Sequence, residues 1–179
     1  EIFGEGPMAV SFVIASPDAR RVLDRTCGAG RDQWRDDWWA ECAERGLVGI
    51  ANHSWDHVHE TLPEVRQREN RKGSFHAIDS FVDAEAQIAA AQHYIAERTG
   101  GRAQPIFGYP YGHVSAYLRD EYFPNNGGRL RIEAAFGTGG ASVRAGSPVW
   151  DIPRFVCGWH WRSPDEFSAL FDAIERGER

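Results

Sequence analysis

The chain has 179 residues, 42% of them apolar and 26% charged, with a formal net charge of -6. Those values describe one ordinary globular domain with room for a sizeable core, neither disordered nor membrane-embedded. An acidic balance without a basic stripe argues against a nucleic-acid partner, and no apolar run approaches the roughly 20 residues of a membrane span.

The chain opens at Glu1 without a basic-then-apolar leader, which reads as an internal fragment or a processed product. Met8 to Ala15 is an almost unbroken apolar run, expected as a buried parallel strand. Ser16-Pro17-Asp18 ends it with an N-cap and a first-turn proline, and a short helix is predicted over Asp18 to Asp24. Gln33 to Arg45 has helical periodicity closed by Gly46, and Leu47 to Ala51 follows as a second buried strand. Residues 58–80 are polar and charged and read as an exposed excursion. Phe81 to Arg98 is a strong helix stopped by Gly100-Gly101. Pro105 to Tyr109 is strand-like, and the chain turns at Pro110-Tyr111-Gly112. Ser115 to Tyr122 is expected as a short helix and Asn125-Asn126-Gly127-Gly128 as a loop. Glu133 to Thr138 and Val149 to Cys157 read as further strands. The last helix has Ser163 as N-cap, Pro164 first and Glu166 three positions after the cap. Strands alternate with helices without a repeat, so the expected architecture is a single α/β domain with a parallel, barrel-like sheet.

Chemistry concentrates in His53-Ser54-Trp55-Asp56-His57, directly after the second strand. If that turn enters one helical turn, the two imidazoles share a face and can converge on one cation. Neutral imidazole suits zinc and similar divalent metals. The competing reading is a surface turn with two solvated histidines. Seven tryptophans include Trp159 and Trp161, which flank His160, and there a sugar-stacking wall competes with ordinary core packing. Cys27, Cys42 and Cys157 form no Cys-x-x-Cys pair and read as buried thiols.

Two motifs at a fitting separation carry a resemblance. His53-Ser54-Trp55-Asp56-His57 resembles the metal-binding His-Ser/Thr-x-x-His motif of NodB-type polysaccharide deacetylases, carbohydrate esterase family 4. Phe107-Gly108-Tyr109-Pro110-Tyr111-Gly112 resembles the Phe-Ala-Tyr-Pro-Tyr-Gly variant of their aromatic-proline motif, and the first apolar run is similar to their Ala-Thr-Phe-Phe-Val strand. The resemblance implies an irregular or incomplete (β/α) barrel over residues 1–179. It implies a divalent metal, most simply zinc, on His53 and His57, and removal of acetyl groups from an N- or O-acetylated carbohydrate. Secreted, periplasmic or cell-envelope placement follows from the resemblance alone.

The resemblance also implies two aspartates, a third metal ligand and a base, on a strand ahead of the Ala-Thr-Phe-Phe-Val equivalent. The stretch Glu1 to Pro7 has no Asp-Asp, and the reading favoured is that this strand lies ahead of Glu1. Many relatives carry Arg where this chain has Gly108, and Arg154 is the candidate to orient the base instead, against an ordinary surface Arg. The Tyr111 N–H is implied as an oxyanion donor and His160 as general acid, against a packed structural histidine. Tyr109, Tyr111, Trp159 and Trp161 are expected to line one substrate groove beside the histidines. Two other functions remain open: a catalytically silent carbohydrate-binding domain, and a hydrolase of another amide or imide C–N bond.

Overall fold

The computed structural model describes residues 9–27, 30–57 and 74–178. Its centre is a four-stranded parallel sheet in the order β1 (Ala9–Val13), β2 (Val48–Asn52), β3 (Ile106–Gly108), β4 (Ala134–Phe136). Val13 lies opposite Asn52, Asn52 opposite Phe107, and Phe107 opposite Ala135. A single bridge from Phe136 to Ile152 carries the ladder one step further, so the strand expected over 149–157 shrinks to that contact and a separate bridge from Cys157 to Trp161. This register brings the residues that follow Val13, Asn52, Phe107, Phe136 and Ile152 out at one carboxyl edge, where parallel α/β sheets present their ligands. The layout is that of an incomplete β/α barrel.

The crossovers start and stop on the signals their sequences carry. Ser16 caps α1 (Pro17–Thr26), its Oγ accepting the Ala19 N–H at 3.2 Å. Gly46 ends α2 (Trp39–Arg45) in the left-handed conformation that glycine adopts without a Cβ penalty. That helix is half the expected length. Residues 33–38 are instead drawn onto α1, where Arg20 donates to the Trp34 carbonyl and to the Asp36 carboxylate. Helix α3 (Phe81–Ala84) runs through a π-helical turn (Glu85–Ala89) into α4 (Ala90–Arg98), as one continuous rod.

Two expectations change. Residues 58–73 of the expected excursion lie outside the described residues, but its end is anchored: Phe75 and Ile78 are fully buried. The expected loop at 125–128 is helix α5 (Phe123–Leu130), which continues a π-helical turn over Leu118–Tyr122. The Asn125 and Asn126 side-chain amides donate to the Glu121 and Tyr122 carbonyls four residues back, bonding along the helix rather than against it. Gly127 is there for space, since a Cβ would come within 2.6 Å of the Trp150 ring and 2.8 Å of the Ile132 carbonyl oxygen.

Strand alternation sorts the sheet into two faces. Val13, Ile50, Phe107, Tyr109 and Ala135 pack into the two larger apolar clusters, together with Trp39, Ile88, Ile95, Leu118 and Phe123 from the helical layer. Phe12, Gly108 and Phe136 alternate to the opposite face. Helix α6 (Pro164–Glu175) closes the chain with Ser163 as its cap. All three cysteines are free, with Cys27 and Cys157 exposed, so the buried-thiol expectation fails for those two.

Candidate functional site

The histidine turn is not helical. Ser54 and His57 both sit at positive φ (76° and 65°), a conformation uncommon outside glycine. Side chains impose it. The Asn52 carboxamide oxygen accepts the Ser54 N–H at 2.8 Å, and its nitrogen donates to the Ile88 carbonyl and to Gln92. The Ser54 hydroxyl oxygen in turn accepts the His57 N–H at 3.0 Å. Both Asn52 and Ser54 are fully buried, so the turn is tied to the helical layer beneath it.

This non-helical path still brings the two imidazoles together, with ring centroids 4.9 Å apart. His53 Nδ1 lies 2.6 Å from the Gly108 carbonyl oxygen, a partner that can only accept, so Nδ1 carries the proton and Nε2 presents its lone pair. Burial pushes the His53 pKa down to about 4; the bond to Gly108 opposes that and the nearby Arg154 charge adds to it. The ring is therefore neutral at physiological pH. A neutral imidazole with one nitrogen fixed on a backbone carbonyl is the arrangement that orients metal-binding histidines. The pair fits part of the ligand set of a borderline divalent cation. Among the described residues no third His, Cys, Asp or Glu joins it.

Around the pair lies an open groove of about 400 Å³ lined by His53, His57, Tyr111, Thr138, Arg154 and Trp159, with residues 155–157 along one wall. Tyr111 stands at φ 55° inside the tight turn Pro110–Gly112, whose Gly112 and His113 N–H groups donate to the Tyr109 and Pro110 carbonyls. Its ring meets His57 edge-on at 4.7 Å and is 44% exposed. Trp159 is 63% exposed at the tip of a loop, and both residues line the groove. Arg154 is half-buried: its Nε donates to the Gly137 carbonyl, and its guanidinium lies 5.4 Å from the centre of the Phe12 ring. Burial lowers the Arg154 pKa, and no salt bridge to a carboxylate forms among the described residues.

Three expected site residues fall elsewhere. Tyr109 is fully buried and donates its hydroxyl to the Trp150 carbonyl, because strand alternation points it the same way as Phe107, into the helical layer. Trp161 turns onto α6, 4.5 Å from the Phe167 ring. His160 does not line the groove; its Nδ1 accepts the Val156 N–H at 2.8 Å, and its ring rests on Gly140, leaving no room there for a Cβ. That bond and the packing on Gly140 give His160 the geometry of a loop clip, away from the groove lining. Conversely, sequence reasoning passed over Phe12 and Thr138: an aromatic in an apolar strand and a lone threonine carry no signal of their own.

No curated protein matches the chain. A family model described as polysaccharide deacetylase matches residues 8–123, a span holding β1, the histidine turn and the Pro110–Gly112 turn, and ending before Arg154 and Trp159. The match extends over more than half of the sequence and coincides with the edge on which both histidines stand, so the chain belongs to the polysaccharide deacetylase family.

Proposed function

We propose that the groove is the active site of a metal-dependent hydrolase that removes acetyl groups from an N- or O-acetylated sugar. The observation that carries this is the His53–His57 pair, with His53 fixed on the Gly108 carbonyl at the floor of an aromatic-rimmed groove. His53 and His57 would hold the cation, most simply zinc, and a bound cation supplies a Lewis acid and a water of lowered pKa. Tyr111 and Trp159 offer rings for a sugar to stack on, and the groove volume falls within the roughly 300–1,000 Å³ of small-molecule sites. The Tyr111 backbone N–H serves as the donor to the developing oxyanion. Arg154 keeps two guanidinium nitrogens for a carboxylate base and would hold that base ionised. Among the described residues no carboxylate joins the pair as a third ligand.

The absence of a third ligand among the described residues favours a second reading, a carbohydrate-binding domain without turnover. One experiment separates the two. Chelator-stripped protein is titrated with Zn²⁺ by calorimetry, as wild type and as His53→Ala and His57→Ala, and acetate release from N-acetylated chito-oligomers is followed. The deacetylase reading expects Zn²⁺ affinity to fall about 10-fold or more in each variant, since even residues behind the ligands are worth 10–100-fold, and acetate release to fall with it. Unchanged affinity removes the metal site. Binding of the oligomer without acetate release establishes the silent domain.

A further inference from the structure

Phe12 stands beside the groove, against Gly108, His53 and Arg154. Its ring covers the bare Cα of Gly108 so closely that a Cβ there would lie 2.6 Å from Cδ1 and 3.0 Å from both Cγ and Cε1. The same ring packs 6.2 Å from the His53 ring and 6.2 Å from Phe136. On its face rests the Arg154 guanidinium, whose other fixed contact is the Gly137 carbonyl.

We propose that Phe12 is a positioning residue of this site: seated in the space that Gly108 leaves open, its ring sets the placement of the Arg154 guanidinium and of the His53 imidazole together. The assignment rests on reading the groove as the functional site. A guanidinium held by a single N–H bond can swing about its long stem. A second contact on an aromatic face restricts that swing and offsets part of the desolvation of a half-buried cation. Gly108 is then required for its size. Its backbone sends the carbonyl to His53 Nδ1, while its missing side chain admits the ring that flanks the same imidazole. One residue thus acts on His53 twice, through its carbonyl at Nδ1 and through the ring it admits.

The test reads Arg154 and His53 directly, by NMR of ¹⁵N-labelled, chelator-treated protein, through the Arg154 Nε–H and the His53 Nδ1–H. Phe12→Leu keeps apolar bulk and removes the ring face; Gly108→Ala keeps the ring and displaces it. Each single variant is expected to speed solvent exchange of the Arg154 Nε–H by about 3- to 30-fold, the factor corresponding to a cation–π contact, and to shift the His53 Nδ1–H resonance. The double variant is expected to exchange no faster than Phe12→Leu alone, because no ring remains for the new Cβ to strike. A filler of the core would lower the melting temperature yet leave the Arg154 exchange rate at its wild-type value. That result, or additive effects in the double variant, overturns the proposal. If Gly108→Ala does not fold, Phe12→Leu decides through Arg154 exchange. Neither metal nor sugar enters this measurement, so a protein that binds no Zn²⁺ but gives these shifts withdraws the hydrolase and keeps the positioning role.

Discussion

Asn52 shows how much of the site is decided one residue before the motif. It lies at the end of β2, fully buried, with both ends of its carboxamide engaged. Replacing it by Ala would leave the Ser54 N–H, the Ile88 carbonyl and the Gln92 oxygen without this partner in a place where water does not readily reach. An unmet buried polar group costs about 1–3 kcal/mol. Asn52→Ala is therefore expected to lose at least 2 kcal/mol (roughly, on that scale) in urea unfolding. Because Ser54 then loses the bond that holds it at positive φ, Zn²⁺ affinity is expected to fall even though no proposed ligand has been removed. A loss of stability with unchanged Zn²⁺ binding would show that the turn keeps its shape without Asn52. The two histidines do come together, but not by the expected path: one helical turn was the expected vehicle, and a buried Asn–Ser relay is what brings the rings to 4.9 Å. No local pattern distinguishes that Asn from an ordinary strand end.

At the scale of elements, local signals were legible where the chain reports on itself and failed where a distant group decided. The Ser16 and Ser163 caps, the Gly46 stop and the run from Phe81 to Arg98 are all local, and all appear. Ser163→Ala should cost about 1 kcal/mol, the usual worth of a cap, seen as a fall of about 2–4 °C in melting temperature for a chain of this size. Helix α5 went unread because Asn-Asn-Gly-Gly looks like a turn. What overrides it is Trp150, stacked on Phe123 at 5.2 Å and pressed on Gly127. Gly127→Ala makes the two influences compete. Helix propensity gains about 1 kcal/mol, whereas forcing a methyl into close packing costs about 1–3 kcal/mol. The neighbours are an indole ring and a backbone carbonyl, neither at the end of a flexible side chain, so net destabilisation is expected in urea unfolding. A stabilised variant would mean that Trp150 yields freely. The aromatic-proline motif has the same lesson in a strand: it located β3 and its turn, yet alternation buries Tyr109 and leaves Tyr111 for the groove.

Across the whole molecule, one buried cation ties together segments that lie far apart in sequence. Arg20 on α1 is 6% exposed; it donates to the Trp34 carbonyl at 3.0 Å and the Asp36 carboxylate at 2.9 Å, and packs on the Trp39 ring. Tyr94 on α4 donates its hydroxyl to the same carboxylate at 2.5 Å, and Arg98 approaches it at 3.5 Å. This clip is what shortens the helix expected from Gln33, and no periodicity could announce it, because its partners are 16 and 58 residues from Asp36. It also gives the fold a dependence on pH. Burial by itself would raise the Asp36 pKa, but the hydrogen bonds from Tyr94 and Arg20 and the charges of Arg20 and Arg98 outweigh it, and the net direction is down. A carboxyl whose folded pKa lies below its unfolded value stabilises the fold above the unfolded value, about 3.9 for Asp, and that stabilisation is lost as pH falls through the folded one. Tyr94→Phe removes one donor while leaving Arg20 its counter-ion. It should cost about 1.5–3 kcal/mol at neutral pH, as expected for a hydrogen bond to a charged group, and bring the Asp36 pKa back toward the unfolded value. The difference in urea midpoint between wild type and Tyr94→Phe is therefore expected to be full at pH 6 and to narrow below pH 4 (about the unfolded carboxyl value). A gap that stays constant down to pH 3 (roughly a unit below that value) would show that Tyr94 contributes packing alone and that Asp36 takes its low pKa from the two arginines.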